Sequence, residues 1–246
     1  MSDTPYSSII VSGPDSFDFL QAQLTVDLQS LASKTGSIRS GRSSQMNHVA
    51  DTDAIRSAWC NPKGRVICMP YLAEDADNYF LTIPTELVDL VMQRLTLFRF
   101  RSKVDFAARI ATQKELGFET TVDDWLLENL CAGIPEIWLS QSEKFTPHML
   151  NLDMLDIISL DKGCYPGQEI VARTHFRGAS KRRCLRFEST ESLSPGDKIS
   201  DGQRDIGEVV NAIGNDLLAV VPIEKKDAAL EVNGIALRYV ALPYVG

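Results

Sequence analysis

A chain of 246 residues, 44% hydrophobic and 24% charged, has the makeup of a globular protein and the length for one to three modules around a continuous core. No stretch approaches the roughly 20 apolar residues that cross a bilayer, and a net charge of -8 excludes a surface devoted wholly to nucleic acid while leaving room for a local basic patch. The five cysteines, at 60, 68, 131, 164 and 184, form neither a disulfide framework nor a Cys-x-x-Cys pair, and Met1 to Pro5 lacks a basic, apolar leader, so a reducing, cytoplasmic setting is expected.

Taken in chain order, Pro14, Phe17, Leu20, Leu24 and Leu28 fall at steps of three and four and predict a helix starting near Pro14 that buries this stripe. Residues 33–45, rich in Ser, Gly and Arg, predict a mobile loop with Lys34, Arg39 and Arg42 solvated. β-branched and aromatic residues around Trp59 and over 79–83 predict strands, with Asn61-Pro62-Lys63-Gly64 as a hairpin turn. From Pro84 a second helix is expected, with Leu87, Leu90, Val91, Leu95 and Phe98 inward, Glu86 early, and Arg94, Arg99 and Arg101 late, as the helix dipole favours. Thr121 stands three residues before Asp124 in a capping pattern, and Gly133 and Pro135 stop the short helix that follows. After Arg183 come brief apolar runs, 184–187, 207–210, 217–221 and 235–240, divided by turn signals that end in Asn233-Gly234, a type I′ hairpin pattern. The chain therefore reads as an α+β body followed by a small antiparallel β-barrel, with the boundary near 178–184.

The segment Lys162-Gly163-Cys164-Tyr165-Pro166-Gly167-Gln168-Glu169 carries the most chemistry. Gly163 and Gly167 bracket Cys164 in a predicted turn that displays the thiol, and Lys162 is close enough in sequence to favour the thiolate; an inert packed cysteine is the plainer alternative. Gln168 and Glu169 offer an amide and a carboxylate to a polar ligand, or simply begin a helix. Arg173, Arg177, Lys181, Arg182, Arg183 and Arg186, with His175 among them, concentrate positive charge that suits an anion or forms a solvated face. His48, His148 and His175 show no metal-ligand spacing, and no metal is expected.

The stretch from Pro147 to Arg183 resembles the signature region of the YgfZ family, whose Lys-Gly-Cys-Tyr/Phe-x-Gly-Gln-Glu motif is matched at every fixed position and continued by Ala172-Arg173 and Phe176-Arg177-Gly178-x-x-Lys181-Arg182. Weaker likeness covers Gly13 to Asp27, the Asn61 to Val66 hairpin, a short basic strand at 101–104, and Ala132 to Pro135. The resemblance implies an aminomethyltransferase (GcvT)-like, folate-binding α+β body over 1–180. Its ferredoxin-like middle part would span about 68–115, and the β-barrel 181–246. It further implies tetrahydrofolate or a derivative as cofactor, with Trp125, Tyr6, Gln168, Glu169 and Arg173 as candidate contacts; Tyr6 stands where the family usually has Trp. Cys164, with Lys162, would be the functional thiol. The implied role is support of iron–sulfur cluster assembly or repair, including radical enzymes that methylthiolate tRNA. Iron–sulfur enzymes or cluster-assembly proteins would be partners, with tRNA contacted through Arg173, Arg177, Lys181, Arg182 and Arg183. Aminomethyltransferases carry an acid/base aspartate where this chain has Cys68-Met69, which argues against that enzymatic activity. A folate-dependent one-carbon transferase and a tRNA-binding module are the alternatives.

Overall fold

The computed structural model describes residues 4–29, 54–76, 78–178 and 180–244. The expected loop at 33–45, with Lys34, Arg39, Arg42 and nearby His48, lies outside them. A five-stranded antiparallel sheet forms from β1 (Tyr6–Ser12), β2 (Ile55–Arg56), β5 (Tyr71–Asp75), β6 (Asn78–Pro84) and β7 (Asp105–Ile110), in the order β2-β5-β6-β1-β7. Its two faces follow from the period of two: Ile9 and Val11 with Leu81 and Ile83 join one core, whereas Ser8 and Thr82 share a 2.7 Å hydroxyl hydrogen bond on the other face. The short basic strand expected at 101–104 is displaced to β7, where registry with β1 places it.

Helices α1 (Ser16–Gln21) and α2 (Val88–Phe98) cover the apolar face, with Leu20, Leu87, Val91 and Leu95 buried against it. α1 is shorter than the stripe implied. Leu24 and Leu28 are buried as expected, but the chain leaves the helix because Leu24 bridges to Trp59 and the Thr25 amide donates to the Ala58 carbonyl at 2.9 Å. Tertiary pairing here overrides local periodicity. Asn61 Oδ1 accepts from the amides of Lys63 (2.9 Å) and Arg65 (3.0 Å), closing the turn between β3 (Trp59–Cys60) and β4 (Val66–Cys68).

On the other face lie α3 (Gln113–Leu116) and α4 (Val122–Cys131), the latter capped by Thr121, whose hydroxyl accepts from the Asp124 amide at 3.1 Å. After a largely irregular stretch, α5 (Gln168–Arg177) leads into six strands, β8 (Arg182–Ser189), β9 (Lys198–Ser200), β10 (Asp205–Ile213), β11 (Asp216–Pro222), β12 (Leu230–Val232) and β13 (Ile235–Val240). They close as an antiparallel barrel in the order β10-β11-β8-β13-β12-β9. Asn233 and Gly234 both have positive φ (51° and 85°), as the type I′ turn between β12 and β13 requires. No helix among the described residues is long and apolar enough to cross a membrane.

Candidate functional site

The motif loop is held at both ends. The Lys162 ammonium donates to the carbonyls of Gln21 (2.5 Å), Leu24 (2.7 Å) and Val26 (2.9 Å), around the C-terminal end of α1. The Gln21 carbonyl is one that a helix end leaves without a partner, and those of Leu24 and Val26 belong to the irregular chain just after it. Desolvation lowers the Lys162 pKa to about 8. All three ammonium donors are thus committed to backbone, so Lys162 is an anchor for the loop rather than the activator of Cys164 expected from sequence. At the other end Gly167, with φ of 81°, packs so closely on the β3–β4 turn that an added Cβ would lie 2.6 Å from the Asn61 carbonyl oxygen. Gly163 has neither a left-handed conformation nor a near neighbour, so only Gly167 of the bracketing pair is conformationally required.

Between these anchors Cys164 is exposed, while Cys60, Cys68 and Cys184 are buried. Burial pushes the Cys60 and Cys184 thiols up to about 12, which leaves them protonated and inert. Gln168 and exposed Glu169 begin α5; the Gln168 amide donates to the Lys162 carbonyl at 3.5 Å, and both residues stay with the motif loop.

Tyr6 and Trp125 do meet, with ring centroids 5.6 Å apart in an edge-on arrangement. Both are buried, and Phe118 stacks on Trp125 at 4.9 Å, so neither offers an open ring face of the kind the family contacts implied. Tyr6 and the neighbouring Tyr71 share a hydrogen-bonding centre in Glu136, which sequence reasoning passed over. Glu136 Oε2 accepts from the hydroxyls of Tyr6 (3.0 Å) and Tyr71 (2.8 Å), and its backbone is gripped by Asn211 through two 2.9 Å bonds. Burial raises the carboxyl to about 7, against the lowering effect of the tyrosine bonds and the Arg56 charge. The available signal was a lone acid between Ile134-Pro135 and Ile137-Trp138, an apolar setting that predicts burial.

Glu136 opens on a cavity of about 250 Å³ between α4, the 134–138 segment and the barrel, lined also by Leu126, Asn129, Trp138, Asn211 and Ile213. Two of these lining residues hold a buried polar atom with no hydrogen-bond partner, Glu136 Oε1 and Asn129 Nδ2. Gln168, Glu169 and Arg173 are not among the lining residues. The basic cluster is also divided. Arg183 forms a paired contact with Asp153 (2.5 and 2.9 Å), Arg186 bonds Asp216 (2.6 Å), and Arg182 donates to the Ile206 carbonyl (2.5 Å). Arg173, Arg177 and Lys181 remain exposed and unpaired among the described residues, so Arg182 and Arg183 are structural cations rather than a free anion-binding surface.

The fold is like that of an aminomethyltransferase. It superposes on the glycine cleavage system aminomethyltransferase T from Bartonella henselae with a TM-score of 0.66 over 99% of this chain and 85% of that one, at 15% identity. In sequence it is 32% identical over 166 residues to the tRNA-modifying protein YgfZ of Escherichia coli, covering 63% of this chain and 50% of that protein. It is 43% identical over 95 residues to YgfZ of Klebsiella pneumoniae, covering 36% and 29%. An uncharacterized protein of Haemophilus influenzae matches at 27% over 220 residues, 76% of this chain and 72% of that one. No model of a known family matches the chain. In sequence the chain is thus similar to YgfZ proteins, and the matched stretches span half or less of the two named ones.

Proposed function

We propose that the protein binds tetrahydrofolate or a derivative at the Glu136 cavity and supports the assembly or repair of iron–sulfur enzymes in the cytoplasm, including radical enzymes that methylthiolate tRNA. The observation that carries the folate reading is that two residues lining one cavity, Glu136 and Asn129, each hold a buried polar atom, Oε1 and Nδ2, without a hydrogen-bond partner. Turned toward the cavity, a carboxyl oxygen and an amide N–H would match the edge of a pterin ring, which offers amino and ring N–H donors next to a carbonyl. At about 250 Å³ the cavity falls below the roughly 300–1,000 Å³ of sites that engulf a drug-sized ligand, so it suits the ring and not the tail. Glu136 and Asn129 would hold that ring edge, with Trp138 as an apolar wall. The bound group would supply a reduced ring able to carry one-carbon units.

Cys164 is the exposed thiol of the fixed loop, available for thiol exchange or sulfur and cluster handling. One cysteine does not complete a four-thiolate cluster site, so a cluster would be shared with a partner. Arg173, Arg177 and Lys181 give that partner, or a tRNA phosphate, a positive face. Titrating tetrahydrofolate against tryptophan fluorescence is expected to give saturable quenching that Glu136→Ala and Asn129→Ala each weaken at least tenfold, about 1.4 kcal/mol. Absent binding, or unchanged affinity in both variants, would reject the cavity as the folate site.

A further inference from the structure

A second set of groups, which neither the motif loop nor the cavity uses, gathers where α5 meets the start of the barrel. His148, Asp153 and His175 each offer one ligand atom, and the three atoms lie within 4.8 Å of one another. His148 is 2% exposed, and both of its ring nitrogens lack a hydrogen-bond partner. A buried imidazole with two idle nitrogens is rare in a finished structure unless something occupies them. The His175 ring stands 6.0 Å from it, centroid to centroid, projecting from the last turn of α5, and is exposed.

We propose that His148, Asp153 and His175 bind a divalent first-row ion of the zinc class. Two imidazoles and one carboxylate suit zinc and cobalt and leave a fourth position open, whereas magnesium and calcium favour all-oxygen shells. Bonds near 2.0 Å place ligand atoms about 3.3 Å apart, so the set closes by small rotations, chiefly of the exposed His175. Arg183 bonds both oxygens of Asp153 and the His148 carbonyl, which orients the carboxylate as outer partners of metal ligands do. Each carboxylate oxygen keeps a second lone pair for the ion. Cys164 is no ligand: the seven helical steps from Gln168 to His175 put about 10 Å between the start of α5 and the site. The ion would fasten the far end of the motif helix to the 147–153 segment, which packs on the first barrel strand, whether or not folate binds.

The test is equilibrium dialysis of the full chain against zinc with elemental analysis, paired with cobalt substitution read by visible absorption. One ion per chain is expected, with the spectrum of a nitrogen- and oxygen-ligated ion and no thiolate charge-transfer band. His175→Ala, at an exposed side chain, should weaken binding at least tenfold, and adding His148→Gln should abolish it. No binding by the wild type, unchanged affinity in His175→Ala, or a thiolate band placing the ion on cysteine would each overturn the proposal.

Discussion

Gly167→Val is expected to lower stability by about 3–5 kcal/mol, from left-handed strain and overpacking together, and to drop the melting temperature by about 10 °C. The reason lies in the contact between the motif and the β3–β4 turn. A Cβ at Gly167 would sit 2.6 Å from the Asn61 oxygen, 2.7 Å from Gly64 Cα and 2.8 Å from Gly64 N, all backbone, with φ at 81°. The turn has little room to retreat, because Asn61 Nδ2 donates to Glu143 Oε1 (2.7 Å), which also receives Arg94 (2.9 Å). Gly163→Ala supplies the contrast: nothing lies within 4 Å of its added carbon, and a change within about 0.5 kcal/mol is expected. Denaturant melts of the two variants measure this directly. Equal stabilities would remove Gly167 from its role as the far anchor of the Cys164 loop.

The second large effect is a pH dependence set by Glu136. Its folded pKa, about 7, lies above the ordinary value of 4.5, so the fold favours the protonated acid. That contribution is fully present below about pH 4.5 and is lost as pH rises through 7. The wild type should therefore lose up to about 3 kcal/mol relative to Glu136→Gln across this window, read as the difference in urea midpoints at each pH. Parallel curves for the two proteins would show that the carboxyl does not titrate within the fold. The same variant separates two readings of the cavity. Glutamine keeps a carbonyl acceptor for a ring edge but moves no proton, so a folate-dependent one-carbon transferase relying on Glu136 as acid/base would lose turnover in Glu136→Gln while keeping its ligand.

Local signals carried well from sequence to structure, and distant ones did not. The Thr121 cap and the Asn233-Gly234 turn depend on neighbours within a few residues, and both formed where their chemistry required. α1 ended early because Leu24 and Thr25 pair with Trp59 and Ala58, contacts that no helical periodicity encodes. Lys162 was legible as a cation beside a cysteine, yet its three carbonyl partners lie 136 to 141 residues away, which turned an expected activator into an anchor. Glu136 was hidden for the same reason: its hydroxyl partners, Tyr6 and Tyr71, are 130 and 65 residues distant. The aromatic pair read as a stacking surface is instead the packed wall behind that acid. Charge density also misled, since Arg182, Arg183 and Arg186 are consumed by contacts within the protein and only part of the basic run faces solvent.

In the proposed role the exposed Cys164 thiol on its fixed loop is the group expected to act. Complementation of a YgfZ deletion strain, scored by tRNA methylthiolation and iron–sulfur enzyme activity, tests it most directly. Rescue is expected from the wild type and none from Cys164→Ala, whose melting temperature stays within a degree or two of wild type because the side chain is exposed. Full rescue by Cys164→Ala would contradict it.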